Sequence, residues 1–479
     1  MDHVAVRVPR LAEEFRGVSL GDRRLDVRLG RILKSIEGGC SSSLPDIFEN
    51  DSQLEAFYRF SNNGRITLDR LLAPHRNEAV KRIDQHRTVL AVHDSSEFDF
   101  NGERGEGLYK LRSGKSGFMG HFTLAVTADG KRNPLGVLAY RTVERQERTG
   151  NSKWRENYDD PNKESARWLA AAAEVEDYVH GDSHLIHVMD REGDSFEIFS
   201  GLVALGTDFV IRLKHDRRVD EESVISERIA EAPVILERSV ALSSRAPKSA
   251  PDAKAKHPPR EERIAQLEVV ACEVRIQRPH HDRSSATELC LRVVHVREPH
   301  PPEGMPAIDW RIVTTLPIGT PVEVAAIVDH YRARWLIEEY FKALKTGCGY
   351  SLRQQMSLDA LERTLAICIP QAWRLLAIRW TSRNEPAAPA AAVVTDAQLQ
   401  CLKLRNPKAT LKTAHDVALA IAQLGGHVRS NGAPGWLVLG RGLQKLSDME
   451  AMFIAMREAM TLAPEPPQTG RPGRRKPTM

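Results

Sequence analysis

Hydrophobic and polar positions divide the chain into a helical beginning, an alternating middle and a helical end. Apolar residues recur at helical spacing from residue 20 to about residue 72, and again over residues 395–460. Between these regions, short apolar runs alternate with helical stretches, which is the pattern of strands and helices in a mixed sheet. The chain is therefore predicted to be an α/β protein with helices at both ends.

Three successive strands open the middle region. Val89–Val92 is predicted to be a short buried strand, and Asp94 lies just past its end. Further strands are predicted at 121–129 and 134–143. The short turns between the three strands indicate an antiparallel meander.

An alternation of helix and strand follows the meander. A helix is predicted over 163–179, and the next apolar run, Leu185–Met189, is a strand that Asp190 terminates. A second helix over 195–205 and a strand from Phe209 complete the alternation. The region therefore repeats the earlier arrangement of a buried strand followed by an aspartate.

The character of the chain changes between about residue 217 and residue 317, where short β-prone runs predict a β-rich insertion. Inside it, residues 243–263 are polar and rich in proline, as in an exposed loop. Helices follow the insertion. Pro370 is expected to bend or break one of them, and residues 386–393 are a candidate linker.

The segment from Tyr331 to Gly347 predicts an amphipathic helix with an unusual polar face. At about 100° per residue, five functional groups share an arc of about 80°. They belong to Tyr331, Arg334, Glu338, Lys342 and Lys345. The opposite side carries the apolar residues Ala333, Leu336, Ile337, Tyr340, Ala343 and Leu344. A carboxylate among cations suits a site that grips phosphates and binds a metal, although a solvated charged face is the alternative at this point.

Composition places the chain among soluble globular proteins. Its 479 residues are 41% hydrophobic and 28% charged, and about three domains are expected at this length. The first residues lack the apolar run of a secretory signal, and no apolar stretch approaches the ~20 residues of a membrane span. The six cysteines are dispersed without a C-x-x-C pair, which argues against structural zinc. A cytoplasmic protein without membrane partners is expected.

The net charge of +4 decides little, but part of the excess lies in the last residues. Residues 463–479 are rich in proline and glycine and are predicted to form a disordered basic tail. Such a tail can contact nucleic acid non-specifically, and a solubilising role is the alternative.

Asp94, Asp190 and Glu338 form a candidate metal site. The carboxyl ends of neighbouring strands can bring the two aspartates together, and Glu338 arrives from a helix. Three carboxylates repel one another, so their expected purpose is to hold hard divalent cations. Two such ions can stabilise the attacking and leaving oxygens of a phosphoryl displacement. An aspartate alone more often caps a turn, so the combination carries the prediction.

The spacing Tyr331-x-x-Arg334-x-x-x-Glu338-x-x-x-x-x-x-Lys345 resembles the Y-(2)-R-(3)-E-(6)-K signature of one family. This family is the bacterial cut-and-paste DDE transposases of the insertion-sequence-four group, which includes the transposase of transposon five. MDREGD, KES-x-x-WLAA, an early GD-x-R…AFYRF and the C-terminal GWLVLGRGLQKL are also similar to the family. The resemblance extends from about residue 20 past Gly347 and so covers most of the chain.

The resemblance implies an RNase H-like catalytic core with a β-rich insertion, flanked by helical N-terminal and C-terminal domains. The implied domains are DNA-binding (1–75), catalytic (76–385, with the insertion at about 217–317) and dimerising (386–462). Asp94, Asp190 and Glu338 become the catalytic, metal-binding triad for two Mg²⁺ ions, for which Mn²⁺ substitutes. Glu339 is the rival of Glu338, but at about +80° it points away from the shared face.

The family also implies which residues contact DNA. Tyr331, Arg334, Lys342, Lys345 and Arg212 match positions close to the phosphates at the transposon end. Trp310 matches an aromatic residue that stacks on a flipped base, whereas filling the core is its alternative role. Arg24 and Arg28 lie on an N-terminal basic helix that the family uses on the terminal repeat, and a solvated basic face is the alternative.

The expected reaction is metal-dependent hydrolysis that frees a 3′-hydroxyl, hairpin formation and reopening, and transfer into target DNA. The expected partners are double-stranded transposon ends, target DNA and a second copy of the chain. Two rivals remain: a catalytically silent DNA-binding regulator of a related element, and an RNase H-fold nuclease on branched DNA. The complete set of carboxylates counts against the first rival, and the basic helix with Trp310 counts against the second.

Overall fold

The computed structural model describes residues 7–37, 43–100, 105–111, 113–143, 166–220, 223–242 and 259–462. Within these ranges no helix is long and apolar enough to span a membrane. The predicted basic tail and most of the predicted loop 243–263 lie outside the described residues.

The helices are α1 (Leu11–Glu14), α2 (Arg23–Ile36), α3 (Leu44–Ile47), α4 (Asp51–Ser61), α5 (Leu68–Ile83), α6 (Ala166–Tyr178), α7 (Phe196–Leu205), α8 (Ile225–Glu231), α9 (Pro321–Ala333), α10 (Trp335–Lys342), α11 (Leu358–Asn384), α12 (Asp396–Arg405), α13 (Ala414–Leu424) and α14 (Trp436–Leu462). The strands are β1 (Thr88–Phe100), β2 (Tyr109–Lys110), β3 (Ser116–Thr127), β4 (Pro134–Val143), β5 (His184–Met189), β6 (Asp208–Arg212), β7 (Arg218–Val219), β8 (Ser223–Val224), β9 (Val234–Leu242), β10 (Arg263–Gln277), β11 (Glu288–Arg297) and β12 (Asp309–Thr314).

Strand β1 lies at the centre of the sheet that carries the candidate site. It pairs antiparallel with β3, which pairs antiparallel with β4, so the predicted meander is confirmed. On its other edge β1 pairs parallel with β5, and β5 pairs parallel with β6. The resulting order is β4-β3-β1-β5-β6. Helix α6 makes the crossover that parallel strands require.

Strand β1 is longer than its apolar run predicts. The strand was expected to end before Asp94, but β3 continues to pair with it as far as Phe100. Asp94 therefore lies inside the strand, opposite Phe122. The apolar run marks only the part of β1 that is buried on both faces, because backbone pairing with β3 does not depend on side-chain polarity.

The β-rich insertion extends the same sheet beyond β6. Strand β12 pairs antiparallel with β6, and β11, β10 and β9 follow by antiparallel pairing. The predicted β-prone runs therefore form strands, which lie between β6 and α9. Their position brings β12, which carries Trp310, beside the strand that carries Arg212.

The helices at both ends share one hydrophobic core with the sheet. Phe57 of α4, Val92 of β1, Leu376 of α11 and Leu443 of α14 belong to the same cluster of buried residues. The domain boundary predicted after residue 75 falls inside α5. The N-terminal helices therefore pack as part of the molecule's main core.

Two expectations about the C-terminal helices are corrected. Helix α11 continues through Pro370, so this proline does not break it. The candidate linker 386–393 contains a buried turn, Ala390–Ala392, and the N–H of Val8 donates to the carbonyl of Ala392 at 2.8 Å. A run rich in proline and alanine can form either a spacer or a closely packed segment, and composition alone does not distinguish the two. Here the alanines pack closely.

Helix α11 holds the N-terminal helices through arginine side chains that donate to backbone carbonyls. Arg363 donates to the carbonyls of Ser61 at 2.9 Å and Ile66 at 2.7 Å. Arg374 donates to the carbonyl of Pro9 at 2.6 Å. Both arginines are buried, so these bonds replace hydration that the guanidinium groups have lost.

A buried polar cluster joins α1 to α5. Glu14 accepts hydrogen bonds from His75 Nδ1 at 2.5 Å and from Arg82 Nη1 at 2.8 Å. The N–H of Val137 donates to His75 Nε2 at 3.0 Å, so the imidazole carries its proton on Nδ1. Burial acts to raise the pKa of Glu14, but His75 and Arg82 outweigh it and lower the pKa from 4.5 to about 2.

This cluster predicts acid sensitivity. Because the folded-state pKa of Glu14 lies below its unfolded value, its contribution is complete above pH 4.5 and is lost as the pH falls towards 2. The shift corresponds to about 3 kcal/mol. Glu14→Gln should lower the free energy of unfolding at pH 7 by about that amount and flatten its decline between pH 5 and pH 3, measured by urea titration. Glu13→Gln, at a neighbour whose partners are surface arginines, is the matched control. Equal pH dependence in both variants would contradict the assignment.

Candidate active site

The register of the sheet brings the two candidate aspartates level. The parallel pairing of β1 and β5 reaches Val92 opposite Val188. Two residues further along each chain are Asp94 and Asp190, which therefore lie side by side at the end of this parallel pair. Both side chains are partly exposed.

Each aspartate is fixed by a backbone N–H close to it in sequence. The N–H of Ser95 donates to Asp94 Oδ1 at 2.8 Å. Asp190 caps the short 3₁₀ helix Arg191–Gly193, and the N–H of Glu192 donates to its Oδ1 at 2.8 Å. One carboxylate oxygen of each aspartate is thus held by the chain, and the other can serve a ligand.

Arg334 joins Glu338 to this pair. Its Nη1 donates to Asp94 Oδ2 at 2.9 Å, and its Nη2 donates to Glu338 Oε1 at 2.8 Å. The Arg334 side chain is only 13% exposed. Glu339, the rival, accepts a bond from Lys342 at 2.6 Å instead. Arg334 therefore lies between two of the three candidate carboxylates.

The carboxylates interact electrostatically. Burial raises the pKa of Asp94, Arg334 lowers it, and the charges of Asp190 and Glu338 raise it further, so that it reaches about 7. Burial lowers the pKa of Arg334, but Asp94, Tyr331 and Glu338 outweigh this and raise it above its ordinary value. The three carboxylates are therefore close enough to repel one another, and a cation between them would relieve that repulsion.

The donor set fits a hard divalent cation, because all three groups offer carboxylate oxygens. In the part of the chain that the structure describes, no three Asp, Glu, His or Cys side chains are arranged so that they could hold a metal ion. The positive charge among the carboxylates is instead the guanidinium of Arg334. Metal binding by these residues therefore requires that Arg334 exchange its carboxylate partners.

The predicted helix from Tyr331 to Gly347 is interrupted. Helix α9 ends at Ala333, Arg334 keeps helical dihedral angles, and α10 ends at Lys342. A π-helical turn over Ala343–Gly347 follows, closed by a bond from the N–H of Cys348 to the carbonyl of Ala343 at 2.7 Å. The predicted apolar side is confirmed as buried throughout: Ala333, Leu336, Ile337, Tyr340, Ala343 and Leu344.

The five groups of the predicted polar face differ in their surroundings. Tyr331 is buried, with 6% of its surface exposed, and its ring contacts Trp310 edge to face at 5.6 Å. Lys345 donates to the carbonyl of Glu97 at 2.6 Å, and Lys342 pairs with Glu339 away from the other carboxylates. The wider π turn departs from 100° per residue, so helical phase does not hold as far as Lys345.

Arg212, Trp310 and Tyr331 form a group next to Arg334. Arg212 Nη2 donates to the carbonyl of Asp309 at 3.0 Å, and its guanidinium lies 6.0 Å from the Trp310 ring centre. Arg212 also donates a hydrogen bond to the hydroxyl of Tyr331. Pairing between β6, β12 and β11 produces this group, since Arg212 lies opposite Ile312.

Arg24 and Arg28 lie on α2, which packs against α1 and α4 rather than on the elements that carry the carboxylates. Arg24 is exposed and pairs with Asp22, the cap of its own helix, at 2.9 Å. Arg28 lines a cavity of 860 Å³ between α2 and α14. The structure therefore does not bring these arginines to the candidate active site.

Sequence patterns did not identify Arg167, which contacts residues beside both aspartates. Its Nε donates to Ser95 Oγ at 3.0 Å, and its Nη2 donates to Glu192 Oε2 at 2.6 Å. Arg167 lies within the KES-x-x-WLAA motif, but partners that are 72 and 25 positions away leave no local sequence signal.

Comparison with known proteins identifies two domains. A family model described as transposase DNA-binding matches residues 10–66, and one described as a transposase DDE domain matches residues 163–369. Together these matches span more than half of the chain. The second contains Asp190 and Glu338, whereas Asp94 precedes it.

One solved structure, the cryo-EM structure of a piggyBac transposase synaptic complex with hairpin DNA, aligns at 10% sequence identity and a TM-score of 0.33. The alignment covers 96% of this chain and 80% of that chain. Such a TM-score is too low to carry an inference. The family matches, by contrast, assign a DNA-binding domain and a catalytic domain to one chain, which belongs to the DDE transposases, enzymes of metal-dependent DNA cleavage and transfer.

Proposed function

We propose that the protein is a cut-and-paste transposase of the insertion-sequence-four group, similar to the transposase of transposon five. Asp94, Asp190 and Glu338 are its catalytic triad. The observation that carries this proposal is the convergence of three distant carboxylates, two level at the end of β1 and β5 and the third joined to them through Arg334. A merely structural ion pair needs one carboxylate for one guanidinium.

The proposed catalytic core is RNase H-like. The sheet order β4-β3-β1-β5-β6, with three antiparallel strands followed by two parallel ones, supports this assignment. The β-rich insertion lies between β6 and α9, before the helix that contributes Glu338. The core therefore has one member of the triad on its first strand, one directly after its fourth strand and one on a later helix.

The triad holds two Mg²⁺ ions, for which Mn²⁺ substitutes. When bound, these ions supply the activation of the attacking hydroxyl and the stabilisation of the leaving oxygen in an in-line displacement. The Ser95 and Glu192 amides orient the two aspartates. Arg334 has two donors already directed at the site, so it can turn them to a DNA phosphate when its carboxylates take another partner.

The partners are double-stranded transposon ends, target DNA and a second copy of the chain. Arg24 and Arg28 contact the terminal repeat from α2, and Lys342, Lys345 and Arg212 contact phosphates. Helix α14 supports a homodimer, because Met452, Met456 and Met460 form an exposed stripe at helical spacing, with 68%, 55% and 72% of their surfaces exposed.

The proposal is tested by incubating the protein with DNA that carries its element's inverted repeat, in Mg²⁺ or Mn²⁺. A nick at the transposon end, followed by a hairpin and then a blunt end, is the expected sequence of products. Specific binding without any nick in either metal would instead identify a DNA-binding regulator. Cleavage of branched DNA without end specificity would identify a nuclease.

Trp310 is expected to act in the hairpin step. The ring lies at the edge of the site, partly exposed and held by Tyr331 and Arg212. Base stacking is worth about 1–3 kcal/mol. Trp310→Ala should therefore leave the first nick within about threefold and reduce hairpin formation about tenfold or more, resolved on denaturing gels. Val296, opposite Trp310 on β11, is buried, and Val296→Ala is the control for loss of packing. Equal loss of both steps in Trp310→Ala would show a structural role.

A further inference from the structure

Arg167 is bonded to the same two residues whose backbone N–H groups hold the candidate aspartates. Ser95 donates its amide to Asp94, and its hydroxyl accepts from Arg167 Nε at 3.0 Å. Glu192 donates its amide to Asp190, and its carboxylate accepts from Arg167 Nη2 at 2.6 Å. One planar guanidinium therefore connects the supports of both aspartates.

The position of Arg167 is rigid. It lies in the first turn of α6, and its side chain is only 7% exposed. The next residue, Trp168, is buried, and its ring lies 5.5 Å from the guanidinium and 4.7 Å from the ring of His121. His121 in turn bonds Ser95 Oγ at 2.9 Å. Helix α6 thus holds Arg167 through a core contact that does not involve the carboxylates.

The separation of Asp94 and Asp190 is not set by the sheet alone. Their strands stop pairing at Val92 and Val188, and Asp190 already belongs to a turn. Metal ions that share carboxylate ligands require those ligands at a fixed distance. The planar guanidinium of an arginine carries its donors in a fixed geometry and is suited to setting such a distance. The single ammonium of a lysine is not.

We infer that Arg167 is a positioning residue, which fixes Asp94 and Asp190 at the separation that divalent metal binding requires. It acts through Ser95 and Glu192, the residues whose backbone N–H groups hold the two aspartates. This inference rests on the proposed function for the identity of the metal ligands. The inference adds Arg167 to the proposed active site, as a residue whose partners lie on two different segments of that site.

The test measures metal binding separately from catalysis. Binding of Mn²⁺ to the full chain without DNA is followed by calorimetry, and the Mg²⁺ concentration for half-maximal end cleavage is determined in parallel. Loss of residues that orient metal ligands typically weakens metal affinity 10–100-fold. Arg167→Gln should show a loss in that range in both measurements, with end-DNA binding unchanged. Arg167→Lys should rescue little, because it keeps the charge but not the planar guanidinium.

Two further variants complete the design. Arg141 pairs with Glu174 on the outer part of the same helix at 2.8 Å, so Arg141→Gln removes one arginine near α6 without touching the aspartates' supports. Its metal affinity should match that of the unaltered protein. Glu192→Ala removes one arm at a half-exposed residue, where the fold tolerates change. It should weaken Mn²⁺ binding severalfold, and adding it to Arg167→Gln should have little further effect.

Unaltered Mn²⁺ and Mg²⁺ dependence in Arg167→Gln would overturn the inference. If Arg167→Gln fails to fold, Glu192→Ala decides, and a binding isotherm equal to that of the unaltered protein would be equally adverse. A protein that binds Mn²⁺ but never cleaves end DNA would contradict the proposed function instead. The calorimetric comparison of the variants would still hold in that case, so the two failures are distinguishable.

Discussion

Asp94→Asn is expected to lower cleavage of the transposon end at least about a thousandfold while leaving end binding within about twofold. The amide is nearly isosteric with the carboxylate and can still accept the N–H of Ser95. It is neutral, however, and so is a much weaker ligand for a hard divalent cation. It also removes the charge that Arg334 neutralises, so the ion pair at 2.9 Å is lost.

Single-turnover cleavage of labelled end DNA measures the first effect, and a gel-shift titration measures the second. Asp99→Asn is the matched control, because Asp99 lies on the same strand but pairs with the surface residue Lys115 at 2.9 Å. The control should cleave at the normal rate. Substantial cleavage by Asp94→Asn would remove Asp94 from the triad, and loss of DNA binding in the same variant would assign it a structural role.

Gly440→Val is expected to lower the free energy of unfolding by about 3 kcal/mol or more, or to prevent folding. A Cβ atom at Gly440 would lie 2.1 Å from the carbonyl oxygen of Gly347. Gly347 ends the π turn that follows the catalytic helix, so the clash is with backbone that cannot rotate away. Helix α14 would have to separate from the segment that carries Glu338 and Lys345.

Thermal and urea unfolding followed by circular dichroism measure this effect. Gly30→Val is the matched control, because Gly30 lies in the middle of α2 and an added Cβ meets nothing within 4 Å. Valine has a higher helix propensity than glycine, so the control should be unchanged or slightly more stable. Equal stability of Gly440→Val and the unaltered protein would mean that α14 does not pack on Gly347 as the structure places it.

Apolar periodicity predicted the order of the elements because burial on one or both faces leaves a local trace. The bounds 134–143 of β4 and the helix over 195–205 follow from the pattern almost residue for residue. The end of β1 does not. Asp94 interrupts the apolar run, but the hairpin with β3 keeps the backbone extended through it, and pairing across strands is invisible in a local window.

Helical phase predicted part of the site and failed on another part. It placed Glu338 and Glu339 in different directions, and the structure directs the first to Arg334 and the second to Lys342. It placed Tyr331 on the shared polar face but did not indicate that the residue is buried against Trp310. The burial comes from β12 of the insertion, whose position against α9 depends on tertiary packing.

Residues that act through distant partners could not be predicted. The family resemblance assigned Arg334 to DNA phosphates, but the sequence holds no sign of its bond to Asp94, which is 240 positions away. Likewise, no sequence pattern indicates that His93 of β1 bonds His187 of β5 at 2.8 Å. Such pairs depend on strand order, which follows from the fold as a whole.

The bonds from Arg363 and Arg374 to backbone carbonyls bear on how the specificity of this transposase for DNA ends can be altered. Every residue type presents the same carbonyl, so these bonds place no demand on the side chains of the N-terminal helices. A chimera that keeps the backbone path up to Ile66 and takes only the exposed side chains of α2 from a relative therefore retains its attachment to α11. Under the proposed role of α2 in binding the terminal repeat, recognition of a new inverted repeat can be grafted onto this enzyme without redesign of its catalytic core.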